Sequence, residues 1–223
     1  MQADDIYAVV SSRLQDMTAV RRWPWDSPNT DHELSLERFI NKGLLTIALQ
    51  RPDATAEVKD FTLVQDLKQE LAGTDLALID CYFFMDEHGA IQNAVTRIER
   101  KDLDAYSPYW VNKEGNVYHW VYDRLQNPRS FFVIPKPDKA DQQLKALVSK
   151  VPTYVTSPAT TLSISDLYAP ALIELVLYQV FASDTDDANW QKAMGCMQVA
   201  AEIMGIKLET DITQPMKSMH DRG

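Results

Sequence analysis

Glycine is scarce, with seven in 223 residues, and none stands in a G-x-G or G-K-S/T setting. Neither the tight turn of a dinucleotide fold nor a phosphate-cradling loop can be built without them. A G-x-S-x-G elbow for a serine nucleophile is absent as well. Only two cysteines occur, Cys81 in an apolar strand-like run and Cys196 in a helical one. That is too few for a disulfide framework, and both are expected as buried free thiols. His32, His88, His119 and His220 are scattered without metal-ligand spacing, so no metal and no cofactor is expected. No apolar run is long enough to span a bilayer, and the opening MQADDIYAVV lacks the basic-then-apolar order of an export signal. A protein assembled in a cytoplasm, with no membrane partner, is the expectation. Positive charge is short too: 22 Lys and Arg stand against 32 Asp and Glu, a net charge of -10. Affinity for nucleic acid comes mostly from cations on phosphates, so a dedicated nucleic-acid binder is disfavoured, while a surface that DNA passes without sticking is not.

The catalytic pairs that can still be assembled are Cys81 with a distant histidine, and Asp80 with Glu99 as two carboxylates. Neither rests on spacing. Asp80 lies between Ile79 and Cys81 and points away from them on a strand, which puts it on a solvated or hydrogen-bonded face. No catalytic residue is expected, and the chain does not read as an enzyme.

What the chain has in abundance is apolar helix between Ser165 and Gly205. From Leu172 to Ala182 only Glu174 and Gln179 are strongly polar, which predicts a helix covered on more than one side. Ser165 or Asp166 caps it, and Pro170 fits only in or near the first turn. A second helix follows, with Trp190, Met194, Met197, Ala201 and Met204 forming one predicted inward stripe and Gly205 a left-handed cap. The connecting turn, Ser183 to Asp187, offers three carboxylates. It lacks the alternating ligands, the central glycine and the terminal glutamate of a calcium loop, so its aspartates are read as caps for the second helix.

Earlier in the chain, Asp4 or Asp5 is expected to cap a helix from Ile6 to about Met17, with Ile6, Val9, Val10, Leu14 and Met17 on one face. Two prolines and two tryptophans make Val20 to Asn29 a structured loop. A helix from about Leu34 to Gln50 turns Phe39, Ile40, Leu44, Ile47 and Ala48 inward and stops ahead of Pro52. Beyond Asp53 the runs are short, β-branched and aromatic: Phe61 to Val64, Leu76 to Met85, Ile91 to Ile98, Val117 to Tyr122, Ser130 to Ile134 and Leu144 to Val155. A short helical piece is expected from Lys101 to Tyr106, and hairpin turns at Asp86 to Gly89 and Asn112 to Asn116. The fold class expected is therefore α+β. A helical bundle from residues 1–55 and 156–206 flanks a β-rich insertion over 56–155, and 207–223 forms an extended C-terminal arm. In that arm Leu208, Ile212, Met216 and Met219 are the apolar positions expected to dock on a partner.

Several short motifs follow one another along the chain. They are Arg21-Arg22-Trp23-Pro24; Leu36-x-x-Phe39-Ile40-Asn41-x-Gly43; Arg51-Pro52-Asp53-Ala54; Val95-Thr96-Arg97-Ile98 with Lys101-Asp102-Leu103-Asp104 and Pro108-x-Trp110; Gln126-Asn127-Pro128-Arg129-x-Phe131-x-Val133-x-Pro135; and Asp166-Leu167-Tyr168-x-Pro170-Ala171-Leu172 with Val176-Leu177-Tyr178. In this order, over about residues 20–205, the chain resembles the podovirus head-to-tail adaptor proteins, the tail tubular protein A-like family. The resemblance implies a non-enzymatic virion protein at the head-tail junction, assembled in the host cytoplasm as a dodecameric ring. Its implied partners are further copies of itself, the portal protein, the tail tube or nozzle protein and, transiently, the passing DNA. The segment from Ser27 to Glu33 and the tail after Gly205 depart from that pattern. A DNA-binding accessory factor of phage replication or packaging is the second reading, and it requires a clustered basic face.

Overall fold

The computed structural model describes residues 1–14, 35–124, 127–183 and 187–206. The loop from Val20 to Asn29, the Ser27 to Glu33 segment, the aspartates at 184 and 186 and the arm at 207–223 lie outside the described residues. Among those described, the chain is α+β, with five α-helices and two four-stranded sheets.

Helix α1 (Ala3–Arg13) is capped by Gln2 rather than by Asp4 or Asp5. The Gln2 backbone N–H donates to Asp5 Oδ2 at 2.8 Å, so Asp5 serves inside the first turn, where a carboxylate also meets the helix's positive end. Helix α2 (Leu36–Gln50) starts at Ser35, whose Oγ accepts from the Arg38 N–H at 3.3 Å. Its expected inward residues, Phe39, Ile40, Leu44, Ile47 and Ala48, are all buried. Helix α4 (Ala169–Ala182) follows a short 3-10 turn capped by Ser165 and carries Pro170 in its first turn, where a missing donor costs least. Leu172, Leu175 and Val176 are buried, and Phe181 is partly buried against the same core. The two polar residues of α4 both find partners on other helices. Glu174 pairs with Arg13 of α1, and Gln179 donates to the Phe39 carbonyl of α2 at 3.0 Å.

Helix α5 (Asp187–Met204) corrects one expectation. Of the expected stripe, Ala201 and Met204 are buried and Met197 is partly so, but Trp190 and Met194 are 51% and 45% exposed and Ala193 and Ala200 are buried in their place. The inward seam is rotated toward alanines because α5 lies close against α4, and small residues permit that approach. Gly205, at φ +67°, ends the helix as expected, with the Ile206 N–H donating to the Ala201 carbonyl at 2.9 Å.

The strands are β1 (Ala56–Thr62), β2 (Lys68–Glu70), β3 (Asp75–Met85), β4 (Ile91–Ala94), β5 (Thr96–Arg97), β6 (His119–Val121), β7 (Ser130–Ile134) and β8 (Gln143–Lys150). One sheet runs β1-β8-β3-β4 and the other β2-β7-β6-β5. β2 was not expected: Lys68-Gln69-Glu70 is polar, yet Gln69 is fully buried and satisfied by the backbone of Val64 and Asp66. Asp86 to Gly89 does form the β3–β4 hairpin, with Asp86 Oδ1 accepting the N–H of His88 and of Ala90 at 2.9 Å each. Asn112 to Asn116 is not a hairpin. β5 and β6 pair in parallel, and parallel neighbours need a crossover, so residues 98–118 carry α3 (Arg100–Tyr106) and a 3-10 turn across the sheet. β8 ends at Lys150 rather than Val155, ahead of Pro152. Between the sheets lies a cluster that includes Phe84, Trp120, Phe131 and Leu144. A separate cluster draws on α1, α2, α4 and α5.

Candidate functional site

Residues of these motifs lie at the joints between elements. Pro52 stops α2, and Arg51 is left at the helix end with its guanidinium free to turn back. It donates to both carboxylate oxygens of Asp53 at 3.0 Å and, through Nη1, to the Met204 carbonyl at 2.6 Å. Tyr168 Oη donates to Asp53 Oδ2 at 2.5 Å, and the guanidinium carbon stands 5.5 Å from the Tyr168 ring centroid. Arg51, Asp53 and Tyr168 thus clamp the end of α2, the entry to α4 and the end of α5. The hydrogen bonds from Arg51 hold the Asp53 carboxyl below its ordinary range, and the same pairing raises the guanidinium. Burial, then the Asp53 carboxylate, pushes the Tyr168 hydroxyl up.

Asn41 forms a second joint. Its Oδ1 accepts the Val155 N–H at 2.7 Å and its Nδ2 donates to the Val155 carbonyl at 2.9 Å, so one side chain pairs with the extended segment as a strand would. Two residues on, a Cβ at Gly43 would stand 2.7 Å from Leu172 Cδ1, which is why α2 and α4 can come so close there. Within the β region, Arg129 donates to the carbonyls of Ala72 and Asp75 at 3.2 and 3.3 Å. Arg97 reaches the Tyr122 carbonyl at 3.2 Å and lies over the Trp120 ring. Trp110 Nε1 donates to Asp104 at 2.9 Å. Each of these groups is spent on another part of the fold.

Among the described residues, no hydrogen bond or ion pair joins Cys81 to a histidine or Asp80 to Glu99, and His32 and His220 lie outside those residues. Cys81 is buried, and burial pushes its thiol well above the usual range. Asp80 Oδ1 accepts the Cys81 backbone N–H at 2.8 Å, while exposed Glu99 pairs with Lys101 at 2.7 Å. Cys196 is half-buried beside Glu174, and desolvation pushes it up to about 11. Both thiols are free, and among the described residues no three His, Cys, Asp or Glu side chains gather as a metal would need. Leu208, Ile212, Met216 and Met219 lie outside the described residues, so the structure places none of them. The Arg51–Asp53–Tyr168 clamp was not foreseen, although Arg-Pro-Asp after a helix and a tyrosine at a capped turn were both visible as separate motifs.

Basic side chains are distributed in the same way. Lys59, Lys68, Arg100, Lys101, Lys136, Lys139, Lys145 and Lys150 each pair with a carboxylate, and Lys59 does so with fully buried Asp75. Cations neutralised within the protein have less field to offer a phosphate backbone.

A family model described as SU10 adaptor protein matches residues 1–218. The chain belongs to this family of phage adaptor proteins. A search among curated proteins finds no match. For the adaptor, membership agrees with the head-to-tail class that its motifs resemble, and a virion-associated structural role is the coarse function that follows. Among the described residues, no helix is long and apolar enough to cross a membrane.

Proposed function

We propose that the adaptor is the subunit of a closed ring, twelve copies in the podovirus arrangement, that joins the portal to the tail tube or nozzle protein and forms part of the channel for DNA. The observation that carries this reading is the family match over nearly the whole chain. Motif residues committed to joints, raised thiols and internally paired cations support a structural rather than an enzymatic or DNA-binding role. Residues 1–55 and 156–206 act as a helical bundle and 56–155 as an inserted β unit, a division supported by two separate hydrophobic clusters. The net charge of -10 supports a channel wall that repels DNA, so that it slides during ejection. A lumen lined mainly by lysine and arginine would contradict that part.

The arm at 207–223 docks on the portal through Leu208, Ile212, Met216 and Met219. Electron microscopy of the purified adaptor mixed with portal-containing capsids tests the assembly: a ring of density at the portal vertex is expected, and an adaptor that stays unbound refutes it. Deleting residues from Thr210 onward should leave the melting temperature nearly unchanged and abolish co-sedimentation with those capsids. A truncated chain that attaches as well as the full one removes the arm from the docking role.

A further inference from the structure

Two helices end on one residue. Arg51 closes α2 through its backbone N–H, which donates to the Ile47 carbonyl at 2.7 Å, and closes α5 through its guanidinium, which donates to the Met204 carbonyl at 2.6 Å. Neither helix carries a basic residue in its last turn, so Arg51 brings to both negative ends a cation that their own sequences lack. Its fork is held at both oxygens of Asp53, which Tyr168 holds in turn, and a guanidinium bound in this way has little freedom to swing. Past Met204 the chain stays fixed for two more residues. Gly205 turns at φ +67°, with Arg51 Nη1 3.7 Å from the place a Cβ would take. Ile206 is partly buried against the helical core, and its N–H donates to the Ala201 carbonyl at 2.9 Å.

The chain that continues into 207–223 therefore departs from a fixed point. An extended chain gains at most about 3.6 Å per residue, so the Leu208 Cα stays within about 7 Å of the Ile206 Cα, whereas that of Met219 can stand as far as about 45 Å away. A docking group held near its pocket gives up little freedom on binding, and one on a long tether gives up more. Of the four apolar positions in the arm, Leu208 is the one whose placement the clamp can decide.

We infer that Arg51, held by Asp53 and Tyr168, is a positioning residue for portal docking: it sets the point and direction from which the arm leaves, and so places Leu208 against the portal. The inference rests on the docking reading of the arm and names the part of the fold that aims it. The half-saturating adaptor concentration in co-sedimentation with portal-containing capsids tests it. Inserting Gly-Ser-Gly-Ser between Ile206 and Lys207 leaves the clamp intact and releases Leu208, and should raise that concentration by about tenfold. Arg51→Gln is too short to hold Met204 and Asp53 together and should raise it by a similar factor. In the chain that carries the insertion, Arg51→Gln should add nothing, because Leu208 is already released. Leu208→Ala should likewise mask Arg51→Gln, and Met219→Ala should not. Asn41→Ala, which loosens a joint of α2 other than the clamp, should bind as the parent does below its melting temperature. Binding equal to the parent's in the insertion variant or in Arg51→Gln overturns the aiming role and leaves the docking of the arm standing. Losses from Arg51→Gln and Leu208→Ala that multiply, or a loss in Asn41→Ala as large as in Arg51→Gln, do the same. A chain cut at Thr210 that attaches as well as the full one overturns the docking reading, and this inference with it.

Discussion

Removing the Asn41 amide should cost more than removal of one ordinary hydrogen bond. Val155 is fully buried, and the Asn41 side chain satisfies both its backbone N–H and its carbonyl. Each buried polar group left without a partner costs about 1–3 kcal/mol. Asn41 also lines a groove on α2, so water can reach part of the vacated site. The low end of the sum therefore applies, about 2–3 kcal/mol for Asn41→Ala. For a chain of this size each kcal/mol shifts the melting temperature by about 2–4 °C, so a fall of about 4–12 °C is expected. Asn41→Asp keeps the acceptor for the N–H but sets a carboxylate against the Val155 carbonyl, so it should be no better than alanine near neutral pH and should recover partly in acid. Urea unfolding followed by tryptophan fluorescence gives the midpoints, with an unchanged slope confirming that the denatured state is comparable. An Asn41→Ala midpoint equal to the parent's would refute the strand-mimic account of this joint.

Leu175→Asp places an unpaired carboxylate in the helical core and should cost several kcal/mol; a thermal melt equal to the parent's would remove Leu175 from that core. Asp53 has a lowered carboxyl, mainly through Arg51, so its contribution is present above the ordinary carboxylate range and lost as pH falls through the folded value. Asp53→Asn should accordingly narrow the stability gap to the parent on acidification in a series of melts between neutral pH and pH 3, and a gap that stays constant counts against the clamp. Cys196, pushed up to about 11, and buried Cys81 should both react slowly with a neutral-pH thiol reagent and both react once the chain is unfolded. A fast-reacting thiol in the native protein would contradict that burial.

Local sequence rules determined the α+β class, the inward face of α2, the burial of Leu172, Leu175 and Val176, the β3–β4 turn and the end of α5 at Gly205. These follow from local rules: side chains repeat every 3.6 or 2 residues, and proline and glycine restrict or free the backbone wherever they occur. Tertiary structure decided the rest. Trp190 and Met194 looked like core because they fit a helical stripe, but the tight α4–α5 approach selected the alanine side instead. Gln69 became a buried strand residue because the backbone around Val64 and Asp66 supplied its partners. Asn112 to Asn116 resembled a hairpin locally, yet the parallel pairing of β5 with β6 made it the end of a crossover. The Arg51–Asp53–Tyr168 clamp belongs to the same class, since its three side chains come from residues 51, 53 and 168, and no periodicity relates groups that only the closed core brings within hydrogen-bond distance.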